Sequence, residues 1–308
     1  MRLHYAGQPG DGFGWGVCNA NLIRELGKRC EIVGPDDADV VFMPLCNHEF
    51  DPLTPARGKV NLAYTFFESP LGICAQDNAR RYDVVFAGST WCMDRMKEAG
   101  ITNGRLLIQG VEPIDRQWRI FSGGKLEWRK GHDLVIAAVA RFMRDHPEAH
   151  LVTSWFNPWP ELIASIGQSP FIVIPSGRFT SQHELTLALL SENGISEDRA
   201  TILPHMPRAE LINEMARTHV GLFPNRCEGG TNLVLMEYLS LGRPAVANLL
   251  TGHADLAAAN IIPIAAKEDA QHWAVQTVPD IVAALEVARG PRWTWDAAVE
   301  TILSCIDI

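Results

Sequence analysis

Positive charge is the scarcest resource in this chain: 27 lysines and arginines stand against 36 aspartates and glutamates, a formal charge of −9. A nucleic-acid footprint needs a cationic face, so no nucleic-acid partner is expected. The total does not exclude a small basic pocket for an anion. Charge of either sign is sparse at 20%, and 47% of residues are hydrophobic, which excludes a disordered chain. No run approaches the ~18 uninterrupted apolar residues of a transmembrane helix. The opening Met1-Arg2-Leu3-His4-Tyr5-Ala6-Gly7 is too short an apolar run for a signal peptide's core. No transmembrane segment is therefore expected, while peripheral membrane contact stays open. The seven cysteines (Cys18, Cys30, Cys46, Cys74, Cys92, Cys227 and Cys305) are scattered and form no C-x-x-C, which excludes a disulfide scaffold or a zinc ribbon. They read as reduced, mostly buried thiols, and the chain as cytoplasmic. Repeats of 20–50 residues, the mark of solenoids, and low-complexity tracts are also missing.

What is present is apolar material for more than one core. At 308 residues the chain exceeds the size at which one core usually stops growing, so two domains are expected. Short apolar runs alternate with longer amphipathic ones. Strands are expected at Arg2–Ala6, Glu31–Gly34, Val40–Pro44, Val60–Thr65, Val84–Ala87 and Arg105–Gln109, with helices at Val17–Lys28 and Thr90–Gly100 between them. Ser89 and Gly100 supply a cap and a stop for the second helix. A further series follows: strand Arg119–Phe121, helix Gly131–Arg144, strand His150–Trp155, helix Gln182–Asn193, strand Thr201–Leu203, helix Ala209–Arg217, strand Val220–Pro224, helix Thr231–Leu241 and strand Ala245–Asn248. Ser181-x-x-Glu184 has the form of a capping box. Such alternation predicts an α/β protein with two Rossmann-like, doubly wound parallel sheets, their ligand sites at the carboxyl ends of the strands and facing a shared cleft. The aperiodic segment Gly110–Trp118 is the expected linker, dividing the chain into domains 1–114 and 115–308.

Three motifs carry chemistry. Gly10-Asp11-Gly12-Phe13-Gly14-Trp15-Gly16 lies between the first strand and its helix, where glycines let backbone amides approach an anion at a helix N-terminus. It is not a clean G-x-G-x-x-G, and no ribose-binding acid sits where a dinucleotide fold would place one. Ser122-Gly123-Gly124-Lys125-Leu126-Glu127-Trp128-Arg129-Lys130-Gly131 follows a strand and enters a helix, so Lys125 and Lys130 can both point at one diphosphate. The third motif runs from Phe223 to Pro244: a strand ends, the turn Glu228-Gly229-Gly230 follows, and a helix begins near Thr231 with free first-turn amides. Glu237 lies inside its apolar stretch, where a carboxylate is costly to desolvate unless it accepts hydrogen bonds, as from a ribose diol.

In this order the motifs G-[RK]-L-x-x-x-K-G and E-G-x…E-x-x-x-x-G-x-P resemble the GT-B retaining glycosyltransferases of family 4, most strongly from Phe121 to Asp255. The resemblance implies transfer of a sugar from a nucleotide-diphosphate donor, UDP- or GDP-linked, with no other cofactor. It implies diphosphate binding by Lys125 and Lys130, sugar contact by Glu228, and ribose binding by Glu237. The amides of Thr231, Asn232 and Leu233, after Gly229 and Gly230, would hold the distal phosphate, with Gly12, Gly14 and Gly124 also against the donor. Three departures stand out: Lys125 replaces the usual arginine, eight residues rather than seven separate Glu228 from Glu237, and the N-terminal half is short. The extra residue requires a bulge before the helix.

Asp11, Phe13, Glu68 (or its neighbour Ser69) and His253 are the expected acceptor or sugar contacts. Gln109-Gly110-Val111-Glu112 matches the family's interdomain turn. Trp155 and Trp159 read as packing rather than stacking residues. No Asp-x-Asp motif is present, so a metal-independent reaction is expected, driven by electrostatic stabilisation of the departing diphosphate. The acceptor (glycan, lipid-linked glycan, small molecule or protein) is left open. Two alternatives remain: a nucleotide-sugar epimerase or inverting transferase drawing an acid or base from Asp11, His48 or Glu68, and a non-catalytic nucleotide- or sugar-binding GT-B protein.

Overall fold

The computed structural model describes residues 1–111, 117–257, 259–290 and 293–306. In chain order its elements are β1 (Arg2–Tyr5), α1 (Gly14–Leu26), β2 (Glu31–Ile32), β3 (Val40–Leu45), β4 (Val60–Thr65), α2 (Ala75–Ala79), β5 (Val84–Ala87), α3 (Thr90–Glu98) and β6 (Gly104–Leu106). After these come β7 (Trp118–Gly123), α4 (His132–Asp145), β8 (Ala149–Ser154), α5 (Pro160–Ala164), α6 (Gln182–Glu192), β9 (Ala200–Ile202), α7 (Arg208–Met215), β10 (Val220–Phe223) and α8 (Leu233–Ser240). The chain closes with β11 (Ala245–Ala247), β12 (Ile261–Pro263), β13 (Ala266–Glu268), β14 (Ala274–Gln276), α9 (Val278–Arg289) and α10 (Trp295–Leu303). Two compact units result, Met1–Ile114 with Arg292–Ile308, and Asp115–Pro291. The segment 112–116, which holds Glu112 and the middle of the expected linker, lies outside the described residues.

The first unit is a six-stranded parallel sheet ordered β2-β1-β3-β4-β5-β6. Both faces are covered, and β3 shows why its sequence reads as one continuous apolar run. Val40 and Phe42 pack with Leu22 and Leu26 of α1, whereas Val41, Met43 and Leu45 pack on the opposite side with Ala75 of α2 and Met96 of α3. Each such fully buried side chain contributes about 1.5–3 kcal/mol over its exposed state. The expected cap of α3 is present, Ser89 accepting the Cys92 amide at 3.1 Å.

The last helix departs from expectation. Trp295, Ala298, Val299 and Ile302 of α10 belong to the first unit's core, and Arg29 binds Asp296 at 2.8 Å and also Glu300. Residues that the sequence pattern assigned to a domain spanning 115–308 thus complete the N-terminal one. A helix reveals which core it serves only through its partners, and those lie more than 250 positions upstream.

The second unit is also a six-stranded parallel sheet, ordered β12-β11-β10-β7-β8-β9, with the small antiparallel pair β13-β14 beside it. One face carries Ile120, Leu151, Leu222 and Val246 against α4 and α9, and the other carries Phe121, Val152 and Phe223 against Leu235 and Tyr238 of α8. Each unit is therefore a Rossmann-like doubly wound sheet, as the alternation predicted.

Candidate functional site

In a doubly wound sheet, ligands bind beyond the carboxyl ends of the strands where the winding reverses. In the second unit, β7 and β10 are neighbours, the chain working outward to β8 and β9 on one side and to β11 and β12 on the other. The reversal point therefore lies between β7 and β10, and the second and third motifs are the loops leaving these two strands. In the first unit the reversal falls between β1 and β3, and the loop leaving β1 is the glycine motif.

The two loops of the second unit are locked together by ions. Lys130 Nζ donates to Glu228 Oε1, and both side chains are largely buried. Arg129 approaches Glu228 Oε2 at 3.4 Å, donates to the Cys227 carbonyl at 2.7 Å and binds Glu127 at 2.6 Å. Asn225 Nδ2 donates to the same Glu228 oxygen that Lys130 uses. The Glu228 amide donates to Thr251 Oγ1 at 3.0 Å, and its carbonyl accepts the Gly252 amide at 2.9 Å. A Cβ at Gly252 would stand 1.8 Å from the Gly230 carbonyl oxygen, so only glycine lets this third loop brace the turn.

Beneath this cluster lies a second, fully desolvated pair. Arg226 grips Asp133, in the first turn of α4, at 2.7 and 2.8 Å, and stacks 4.2 Å above the Trp128 ring. Gly131, at φ 73°, turns the chain into α4. A Cβ there would meet the Pro224 carbonyl oxygen at 2.1 Å, so the loops from β7 and β10 touch backbone to backbone.

The turn itself is open. Gly229 and Gly230 are exposed, and a Cβ at either would meet nothing within 4 Å. Among the described residues, the amides from Gly229 to Val234 have no backbone acceptor, leaving a helix N-terminus free to bind an anion. The helix starts at Leu233, two residues later than expected. Asn232 sits at φ 59° and caps it through Leu235 N at 3.4 Å. This left-handed residue stands where the spacing of the two glutamates required an extra one.

The expected site residues separate on the structure. Lys130, Glu228, Gly124, Gly229, Gly230 and Thr231 come together, with Gly124 against the Lys130 side chain. Lys125 does not join the ion cluster: it is exposed, with its Nζ 4.2 Å above the Trp159 ring. Trp159 thus has a cation partner, whereas Trp155 is buried with its indole N–H on Ser122 at 3.1 Å. Glu237 is half-buried and bound to Arg208, at the start of α7, at 2.5 Å.

His253 is a correction. It was expected at a sugar or acceptor, yet it is fully buried beside the N-cap of α8, with Nε2 3.2 Å from Asn232 Nδ2. Burial lowers its pKa and favours the neutral ring. Arg129, Asn225 and Thr251 were not anticipated. Arg129 and Asn225 lie inside the second and third motifs and Thr251 opens the loop that carries His253, but nothing in those motifs marked these three side chains as partners of Glu228.

In the first unit, Gly10 N donates to Gly16 O at 3.1 Å, closing the glycine loop, while Asp11, Gly12 and Phe13 face solvent. Gly14 begins α1, and Glu68 is exposed beyond β4.

His132 opens α4 fully buried, against Trp155 and 3.3 Å from the Glu127 amide. Desolvation pushes its pKa down to about 3. Because the folded value lies below the unfolded one, the stability contributed is complete above about pH 6.5 and is lost as pH falls toward 3. Urea unfolding of wild type and His132→Leu at pH 7 and pH 5 checks this. The wild type should lose about 2 kcal/mol more than the variant between these two pH values, nearly all of it below pH 6.5; parallel losses would refute it.

No family model matches this sequence, and no curated protein does. Among solved structures the chain is similar to "OtsA apo structure" (13% identity, TM-score 0.42, covering 95% of this chain and 78% of that one). It is also similar to an alpha,alpha-trehalose 6-phosphate synthase from Burkholderia multivorans (15% identity, TM-score 0.40, 94% and 72% covered). A third similar structure is a trehalose-6-phosphate protein from E. coli bound with UDP-2-fluoro glucose (12% identity, TM-score 0.41, 99% and 96% covered).

Proposed function

We propose that this chain is a GT-B glycosyltransferase that takes a sugar from a UDP- or GDP-linked donor with retention of anomeric configuration, without a metal. One observation carries the reading: at the reversal point of the second sheet, Lys130 and Arg129 meet Glu228 beside a glycine turn whose amides are open. This cluster of cations and open amides supports the reading of an anion site on a chain of charge −9.

In this reading the donor's diphosphate lies against the first-turn amides of α8 and draws Lys130 from Glu228. As the bond from the anomeric carbon to the phosphate oxygen breaks, charge grows on the diphosphate, and Lys130 with the amides stabilises it. The acceptor hydroxyl forms the new bond on the same face, and its proton passes to the departing phosphate, so no protein base is consumed. Glu228, released from Lys130 and still held by Arg129 and Asn225, is free to accept from sugar hydroxyls. Glu237 receives the ribose, competing with the exposed Arg208. Lys125 leaves the Trp159 ring to join the diphosphate. Asp11, Phe13 and Glu68 of the first unit are the proposed acceptor contacts.

The deciding experiment screens NDP-sugars, with and without acceptor alcohols, for release of NDP. A protein that binds UDP or GDP yet releases neither from any donor is a binding protein, and the transferase reading fails. The two glutamates are separable: Glu237→Ala should lose about tenfold in affinity for free UDP or GDP. Glu228→Ala should keep that affinity and lose discrimination between donor sugars. Calorimetry and competition kinetics read these effects, and equal effects of both variants would mean the roles are misassigned.

A further inference from the structure

A concavity of about 380 Å³ opens on the second unit between α4, α9 and the segments around Phe171 and Asn193. Ala137, Ala140, Arg141 and Arg144 present one stripe of α4 to it, with spacings of three and four residues that put them on a single helix face. Phe171 and Val278 add an aromatic and an aliphatic wall. Arg141 and Arg144 are exposed, while Ala137 and Ala140 on the same stripe are half-buried.

Neither Arg141 nor Arg144 has a hydrogen bond or ion pair among the described residues, although acidic groups outnumber basic ones in this chain. Among the groups nearby, Asp145 ends α4 exposed and one turn from Arg141, while Asn193 and Asp280 are committed elsewhere. Asn193 donates to the carbonyls of Val173 and Leu189 and accepts the Val173 amide at 2.7 Å. Asp280, near Val278, takes the Thr277 hydroxyl at 2.5 Å. The recess thus offers two free forks for oxyanions, an apolar floor and one exposed ring.

We infer that this recess is a second binding site, for a small soluble phosphomonoester whose organic body lies on Phe171, Ala137 and Val278 while its phosphate is shared by Arg141 and Arg144. Two guanidinium groups match the two charges of a phosphomonoester, and each can donate a bidentate pair. The recess falls in the volume range of small-molecule sites. It is separate from the cluster at Lys130: at ~1.5 Å per residue, Arg141 stands roughly 14 Å along α4 from His132. One ligand phosphate cannot serve both places.

Phenyl phosphate and inorganic phosphate are the probes, titrated by calorimetry into the full chain. The expected result is saturable binding of phenyl phosphate that weakens at least tenfold in the Arg141→Ala/Arg144→Ala double variant and is unchanged in Lys130→Ala. Phe171→Ala should weaken phenyl phosphate and leave inorganic phosphate unaffected. All three of these residues are exposed, so the variants should unfold at the wild-type temperature. The site is refuted if wild type binds neither probe, if the double variant binds phenyl phosphate like wild type, or if Lys130→Ala alone abolishes binding.

Discussion

Lys130→Ala is expected to abolish sugar transfer and to weaken UDP or GDP binding by about 100-fold, with the fold intact. The argument begins with what the substitution leaves behind. Glu228 loses one cation but keeps Arg129 at 3.4 Å and the Asn225 amide, so no bare charge is stranded. Lys130 itself is not part of either apolar core. A bound diphosphate is different, because in the proposed reading its charge draws the Lys130 ammonium from Glu228 and has no second ammonium in that cluster to replace it. One charge-assisted contact contributes about 1.5–3 kcal/mol, and the upper value corresponds to roughly 100-fold in affinity. Turnover should suffer further, since the leaving group's charge is largest in the transition state. Calorimetry with both nucleotides and a single-turnover assay check the two parts. Unchanged affinity for UDP and GDP would remove the phosphate assignment.

Asp133→Ala is expected to destabilise the second unit by about 3–5 kcal/mol. Asp133 is fully buried and Arg226 nearly so, and the two share paired contacts at 2.7 and 2.8 Å. Removing one partner of a buried ion pair strands the other charge in a medium that cannot solvate it. Arg226 keeps only the Trp128 carbonyl and ring as compensation. The pair also joins the first turn of α4 to the loop bearing Glu228, two positions beyond Arg226. Loss of nucleotide affinity should therefore accompany loss of stability. Denaturant unfolding measures the first effect, and a change below about 1 kcal/mol would show that the pair is solvated.

Much of the fold was legible because burial on both faces of a parallel sheet leaves an unmistakable apolar run. Val60–Thr65 and Val84–Ala87 were read to the residue. The C-terminal elements were not. Helix α9 carries a Thr277–Asp280 capping box that marks its start, yet the apolar alternation beyond Asn248 breaks into three-residue strands too short to show a period. At the site, glycines and basic residues advertised themselves, and Lys130 and Glu228 do meet. What no local pattern contains is pairing across distance. Thr251 is 23 positions from Glu228, and Asp133 is 93 from Arg226. His253 shows the opposite failure, since a polar residue beside a glycine loop looks like a ligand contact until burial is known.

The placement of α10 bears on how the molecule is made. Its apolar face, Trp295, Val299 and Ile302, fills the core of a unit whose strands were all synthesised before residue 112. During translation the second unit, contiguous in sequence, can finish folding first. The earlier half must wait with its α1-side surface unfilled until α10 leaves the ribosome. Deleting α10 should therefore damage the half made first and spare the second.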